Sequence, residues 1–223
     1  MAKTKTAPHR EECYTCFRVK RNCLCDSVRP FATRMRFVIL MHTKEARKQR
    51  TGTARLAGMC LKNAELFIGT EFAHDERVNA LLRAPAYAPF VLYPGPKAVN
   101  FKEMDRAALP AGKTPLVFVI DGTWNTARTL LNKSPNVKAL PRLSFARNYL
   151  SRFAIKRQPK AHCVSTIEAV YHLCREAEEG GHEKLGAAPE VLMEILGKLV
   201  DIQLRHSRQH HHRREDNKKI RRA

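Results

Sequence analysis

Apolar residues recur along this chain in two rhythms. Short β-branched and aromatic runs at 36–41, 65–68, 90–93 and 116–120, with a weaker one at 136–140, have the length and bounding residues of buried strands. Between them the spacing lengthens to three and four. Leu56, Met59 and Cys60 mark a helix over 53–62, and Ala127, Leu130 and Leu131 mark another over 124–131. Ile167, Val170, Tyr171 and Cys174 share one face of a helix over 164–179, which opens on Ser165-Thr166-Ile167-Glu168, a capping-box spelling. A final helix starts near Pro189, with Val191, Leu192, Ile195, Leu196, Leu199 and Ile202 as its packing face. Strands alternating with amphipathic helices predict an α/β domain around a mostly parallel sheet. No repeat or low-complexity linker interrupts it.

Composition adds a polyanion partner to this picture. The 223 residues hold 41 Lys and Arg against 21 Asp and Glu, a formal net charge of +20, with 43% hydrophobic residues, enough for one sizeable core. Residues 1–60 carry 14 basic and 4 acidic side chains, and 205–223 carry 8 and 2, so both ends are basic. Inside the domain, the 46 residues from 122 to 167 hold nine Lys or Arg and no acid. That exceeds what solubility requires and predicts an anion-binding surface, most simply for nucleic acid. The longest apolar runs fall far short of the roughly 20 residues that cross a bilayer, and the polar start lacks a signal-peptide core. A cytoplasmic protein with no membrane segment is expected, divided as a knuckle at 1–30, a main domain at 31–204 and a basic tail at 205–223.

In that compartment seven cysteines are more readily thiols or metal ligands than disulfides. Cys13, Cys16, Cys23 and Cys25 form C-x2-C-x6-C-x-C. Four thiols this dense suit structural zinc, with free thiols or a redox pair as the other reading. Four protein ligands leave no open position, so such a site is not catalytic. Cys60, Cys163 and Cys174 fall in apolar settings that suit inert buried thiols.

The run 116–120 leads straight into Asp121-Gly122-Thr123-Trp124 and a helix. Ligands of open α/β sheets gather at the carboxyl ends of strands, so chemistry is expected here. Singly, Asp121 and Thr123 can be helix caps, Gly122 a turn former and Trp124 core. Together, before 46 acid-free residues, a carboxylate, a hydroxyl and an aromatic plate suit a base stacked over a basic groove.

Asp121-Gly122-Thr123-Trp124 resembles the D-x-T-W signature of the DTW-domain tRNA-uridine aminocarboxypropyltransferases. The cysteine knuckle, His42-Thr43-Lys44-Glu45, Thr51-Gly52-Thr53, Leu92-Tyr93-Pro94-Gly95, Pro141-Arg142, Arg157-Gln158-Pro159 and Ser165-Thr166-Ile167-Glu168-Ala169 also resemble family blocks, in the family's order. Gly52 stands where the family pattern leads one to expect Asn. The resemblance implies a SPOUT-like fold with a C-terminal knot. It implies an enzyme that uses S-adenosylmethionine and transfers its 3-amino-3-carboxypropyl arm to N3 of a tRNA uridine, releasing methylthioadenosine.

On that basis the expected catalytic residues are Asp121, Thr123 and Trp124, with Asp121 acting as general base or as a positioning group and Thr123 fixing the carboxylate. Expected cofactor contacts are Leu92, Tyr93, Pro94, Gly95, Ile120, Pro141, Arg142, Leu143, Ser165, Thr166 and Glu168, with the amino terminus of the helix at Ser165 or Thr166 holding the arm's carboxylate. Expected RNA-phosphate contacts are Arg18, Lys20 and Arg21 on the knuckle, Arg47, Lys48 and Arg50 after His42, and Arg142, Arg147, Arg152, Lys156, Arg157 and Lys160 in the acid-free stretch. His42 and Glu45 either touch substrate or order the next loop. The chain would act on tRNA as monomer or homodimer. Other readings are a SPOUT methyltransferase, a ribosomal-RNA aminocarboxypropyltransferase and a zinc-ribbon RNA-binding protein without catalysis.

Overall fold

The structure is a computed structural model and describes residues 11–47, 52–105, 109–155 and 163–220, with side chains described through Arg208. Five strands are hydrogen-bonded side by side: β1 Arg36–His42, β2 Ala64–Gly69, β3 Tyr87–Leu92, β4 Thr114–Asp121 and β5 Arg142–Leu143. Their spatial order is β2-β1-β4-β3-β5, and every pairing is parallel. The helices are α1 Thr43–Ala46, α2 Ala54–Met59, α3 Glu76–Arg83, α4 Trp124–Lys133, α5 Pro135–Lys138, α6 Thr166–Glu179 and α7 Glu190–Ile220.

The alternation of side chains along the central strands makes two cores. Phe37, Ile39 and Met41 of β1 and Val117 and Val119 of β4 face α2, α6 and α7, meeting Leu56, Ile167, Val170, Leu192 and Ile195. Val38, Leu40, Leu116 and Phe118 face the other way, onto Val78 of α3, Leu130 and Leu131 of α4 and Val137 of α5. A parallel sheet covered on both faces needs apolar residues at every position, which is why 37–41 reads as an unbroken hydrophobic run. Register brings Met41 opposite Asp121, so the carboxyl ends of β1 and β4 finish side by side.

The expected strand over 136–140 is a correction. That segment is helix α5, and the strand follows it as Arg142–Leu143. Pro135 occupies the first helical position, where its fixed φ and missing N–H suit a helix start. Ser134 just before it is wholly buried, and its Oγ accepts a hydrogen bond from the Phe72 N–H at 2.9 Å. The apolar period over four residues is too short to separate helix from strand. Helix α3 carries only one fully buried residue, Val78, so its stripe left little trace in the pattern. Its start is set by Asp75, whose carboxylate accepts from the N–H groups of Arg77 and Val78.

The knuckle is docked against the long last helix. Arg29 pairs with Glu194, Lys198 Nζ donates to Ser27 Oγ at 2.8 Å, and Asn22 Nδ2 donates to His206 Nε2 at 3.0 Å. Cys16 and Leu24 of the knuckle join the core on the α2, α6, α7 side. Among the described residues no helix is long and apolar enough to cross a membrane.

Two isoleucines give a direct check of the double-sided burial. Ile39→Ala, at a position with no exposed surface, should cost about 2–5 kcal/mol in urea unfolding. Ile68→Ala on edge strand β2, 45% exposed, should cost less than about 1 kcal/mol.

Candidate active site

Strands β3, β4 and β5 all end at the same edge, and the loops that leave them enclose a cavity of about 270 Å³. Leu92, Tyr93 and Pro94 come from the end of β3, Ile120, Gly122 and Trp124 from the end of β4, and Leu143 to Phe145 and Arg147 to Tyr149 from the segment after β5. Cys163, Val164, Thr166 and Ala169 close the side at the start of α6. The site thus sits where an open parallel sheet offers its strand ends.

Asp121 is the last residue of β4 and is 8% exposed. The hydroxyl of Thr166, in the cavity wall, donates a short hydrogen bond to its Oδ1. Gly122 follows at a position where space is tight. A Cβ there would stand 2.6 Å from Thr126 Oγ1 and 3.2 Å from the Ala127 nitrogen, so any side chain would push the strand end off helix α4. Thr123 caps α4, its Oγ1 accepting from the Thr126 N–H at 3.3 Å and lying 3.0 Å from Thr126 Oγ1. The group that fixes the Asp121 carboxylate is therefore Thr166 rather than Thr123, whose hydroxyl is engaged by the helix start. Trp124 is 41% exposed in the mouth, with its ring 6.1 Å from that of Tyr93.

Asp121 and Thr123 do not themselves line the cavity, which Asp121 adjoins through Thr166. Of the other residues named from sequence, Leu92, Tyr93, Pro94, Ile120, Trp124, Leu143 and Thr166 line it. Gly95, Pro141, Arg142, Ser165 and Glu168 stand behind the wall. Arg142 Nη1 donates to the Pro94 carbonyl at 3.1 Å, its guanidinium lies over the Tyr93 ring, and a Cβ on Gly95 would meet Nη1 at 2.6 Å. Arg142 and Gly95 hold the 92–95 loop from outside. The Pro141 carbonyl accepts from the Val91 N–H at 3.0 Å and extends the sheet.

Glu168 has no exposed surface. Its carboxylate accepts from the Ser165 N–H at 2.7 Å, Ser165 Oγ at 2.6 Å, Ser151 Oγ at 2.8 Å and the Arg152 N–H at 2.6 Å. Those four bonds satisfy the carboxylate and fix the N-cap, which makes Ser165 and Glu168 framework rather than cavity lining.

Residues that the strand-end reasoning missed are Ser144, Phe145, Asn148, Tyr149, Cys163 and Val164. The only sequence signal over them is the acid-free stretch, which also contains Arg147, assigned to phosphate but found in the cavity wall. Tyr149 stacks on His172 with ring centroids 3.6 Å apart and planes 9° from parallel. Its hydroxyl donates to Glu176 Oε1 at 2.9 Å, and burial first, then Glu176, pushes the phenol up to about 12. Burial also raises Glu176 and lowers His172 from 6.5 to about 4.

The expected phosphate contacts separate by exposure. Arg18 is 5% exposed and donates to the Gly52 carbonyl at 3.0 Å, so it ties the knuckle to the loop before α2 and does not face a phosphate. Lys20, Arg21, Arg47, Arg147 and Arg152 are exposed, Lys20 being paired with Glu11 at 2.9 Å. Lys48, Arg50, Lys156, Arg157 and Lys160 lie outside the described residues. His42 is buried and caps α1, its Nδ1 accepting from the Lys44 N–H at 3.1 Å, and burial followed by Lys44 lowers its pKa. One Glu45 oxygen, Oε1, has no hydrogen-bond partner among the described residues.

The sulfur atoms of Cys13, Cys16, Cys23 and Cys25 all lie within 4.8 Å of one another, Cys13 and Cys25 at 3.7 Å and Cys16 and Cys23 at 3.8 Å. Ligands about 2.3 Å from a tetrahedral centre stand about 3.8 Å apart, so the cluster can hold a metal ion. The backbone N–H groups of Cys16 and Thr15 lower the Cys13 thiol to about 6, which favours its thiolate.

A covered parallel sheet with an acid, an aromatic pair and one arginine at its strand-end cavity defines an α/β protein with a candidate ligand site and a cysteine knuckle. The chain belongs to the DTW-domain family, whose profile matches residues 10–204. It is 28% identical over 208 residues to the mouse protein named tRNA-uridine aminocarboxypropyltransferase 2, covering 91% of this chain and 67% of the relative. The crab-eating macaque protein of the same name is 27% identical over 209 residues, with coverage of 91% and 67%. The Drosophila melanogaster protein of that name is 29% identical over 164 residues, covering 71% of this chain and 63% of its own length. No solved structure matches the chain.

The histidine beneath Tyr149 gives a pH prediction. Its folded pKa lies below its unfolded value, so between pH 6.5 and about 4 the unfolded chain binds the extra proton and the fold loses stability as pH falls. Glu176, raised above its ordinary 4.5, works in the opposite sense. Urea unfolding of wild type and His172→Phe at about pH 7 and about pH 4.5 isolates the histidine. Wild type should lose ground to the variant at the lower pH, and a constant difference would refute the buried neutral imidazole.

Proposed function

We propose that this chain is a tRNA-modifying enzyme that transfers the 3-amino-3-carboxypropyl group of S-adenosylmethionine to N3 of a tRNA uridine and releases methylthioadenosine. The observation that carries the reading is the Asp121–Thr166 pair at the strand-end cavity of a chain whose family profile spans residues 10–204. The relatives' printed name supports the same reaction class. The fit to the cofactor rests on the wall. Leu92, Ile120 and Leu143 are apolar, Tyr93 and Trp124 are aromatic, and the volume suits a nucleoside-sized group. When bound, S-adenosylmethionine supplies a sulfonium that activates the adjoining carbons toward a nucleophile.

The residues then have defined work. Leu92, Tyr93, Pro94, Ile120 and Leu143 hold the adenosine end out of water. Tyr93 and Trp124 offer faces on which the uracil ring stacks at the mouth. Asp121, oriented by Thr166, holds the ammonium group of the arm or the uracil imide. With S-adenosylmethionine bound, an N3–C bond would form as the C–S bond broke with its electron pair on sulfur, and the uridine N3 proton would pass to solvent water. We favour positioning over proton abstraction for Asp121, because orientation alone supplies up to ~7–11 kcal/mol of such a barrier. Exposed Arg21, Arg47 and Arg152 supply phosphate contacts.

The chain is further read as SPOUT-like with a C-terminal knot, as a knuckle over 1–30, a catalytic domain over 31–204 and a basic tail over 205–223, and as cytoplasmic. Zinc is the metal proposed for the four cysteines, since thiolate sulfur and tetrahedral spacing both suit it. Arg18 and Arg55 lie beside the cluster, where burial lowers the pKa of each guanidinium and Cys16 opposes that shift.

Incubation with unmodified tRNA and S-adenosylmethionine should yield aminocarboxypropyl-uridine and methylthioadenosine, read by nucleoside and small-molecule mass spectrometry. Asp121→Ala should abolish both, whereas Asp121→Asn should keep measurable turnover, lowered by about 10- to 100-fold. Equal loss in the two variants would defeat the positioning role, and a methylated nucleoside with S-adenosylhomocysteine would make the chain a methyltransferase. Elemental analysis should find about one zinc per chain. Its removal by a chelator should lower the melting temperature, and Cys16→Ser should do the same.

A further inference from the structure

We propose that Arg147 receives the carboxylate of the transferred amino-acid arm and so helps to determine which carbon of the sulfonium faces the acceptor. The inference rests on the S-adenosylmethionine reading above. It starts from a problem of charge. A helix amino terminus is the usual place for a carboxylate, and α6 begins at the cavity. Here, however, that terminus already serves two acids. Glu168 takes the Ser165 N–H and Oγ, and Asp121 takes the Thr166 hydroxyl. A third carboxylate there would meet the charge of two others.

Among the described residues that line the cavity, Arg147 is the only Lys or Arg. Arg142, the nearest alternative, turns its guanidinium to the Pro94 carbonyl and the outer side of Tyr93. Arg147 is held in place by a chain of contacts that runs into the core. Its Nε donates to Tyr149 Oη at 3.1 Å, Tyr149 donates to buried Glu176, and the Tyr149 ring is stacked on His172. Glu176 in turn accepts the Ala146 N–H at 2.9 Å, next to Arg147 in the chain. Side chain and backbone are therefore anchored by the same carboxylate.

The guanidinium is not used up by these bonds. Nη2 donates to Glu179 Oε1 at 3.1 Å, and Lys102 shares that carboxylate at 3.0 Å, so the acid's charge is divided between two cations. Nη1 is engaged by none of the described residues, leaving N–H donors for a ligand oxygen. The arm is a zwitterion. With Asp121 at the end of β4 for its ammonium and Arg147 after β5 for its carboxylate, the arm is gripped at both charges from two different strand ends. A methyl group has no handle of this kind. Two-point attachment thus favours one of three chemically similar sulfonium carbons without any change in reactivity.

Decarboxylated S-adenosylmethionine separates this role from general support of the fold, because it lacks only the carboxylate. In calorimetry without tRNA, wild type should bind S-adenosylmethionine roughly 10- to 100-fold tighter than the decarboxylated compound. In Arg147→Gln that ratio should fall toward one while methylthioadenosine affinity stays unchanged, and Arg147→Lys should recover part of it. Circular dichroism and melting of each variant accompany the titration. A ratio kept in Arg147→Gln, or no preference in wild type, overturns the role of Arg147 and leaves the transferase reading standing. Failure of wild type to bind either compound overturns both.

Discussion

Glu168 carries a carboxylate with no exposed surface, and the carboxyl edge of the sheet is organised around satisfying it. A buried charge is costly unless it is fully hydrogen-bonded. Its four donors come from two places, the first residues of α6 and the segment 151–152 that follows β5. The bonds therefore lock the start of a helix to a loop that would otherwise have little to hold it. Once α6 starts there, Thr166 points its hydroxyl at Asp121, and the strand end, helix start and loop form one wall.

A second buried acid extends the same logic one helix face further on. Glu176 anchors Ala146 and Tyr149, as Glu168 anchors Ser151 and Arg152. Two carboxylates on one helix thus fasten the start and the end of a loop whose own composition is basic and acid-free. The acids missing from 122–167 are supplied from α6, outside that segment. Their absence within the loop goes with an exposed Arg152 and with Arg147 in the cavity wall, and their presence beneath it holds residues 146–152 in place.

The knuckle is joined to this framework by similar chemistry. Buried Arg18 reaches from the cysteine cluster to the Gly52 carbonyl, and Arg55 from the start of α2 lies 4.3 Å over the ring of Phe17. Contacts to α7 through Arg29, Ser27 and Asn22 complete the seat. Cation and metal-ligand cluster are thus parts of one packed interface, and a basic residue beside the cysteines serves the fold.

The strands 36–41, 65–68, 90–93 and 116–120 and the helices with long apolar stripes were legible from order and spacing, the central strands because burial on two faces leaves little choice of residue type. The cysteine cluster and the Asp121 turn were legible for a similar reason, since their chemistry is concentrated in a few adjacent positions. Helix α5 and strand β5 were not, being four and two residues long, shorter than any period that could reveal them. Nor could spacing separate Thr123 from Thr166 as the partner of Asp121, or show that Arg18 is buried and Arg147 lines the cavity. Those assignments depend on which side chains meet across 45 residues of chain in one case and 34 in another. Local sequence determined the elements and the chemical groups available. The tertiary structure decided which groups were consumed in holding the walls and which were left for a ligand, because hydrogen-bond partners are allotted only when distant segments come together.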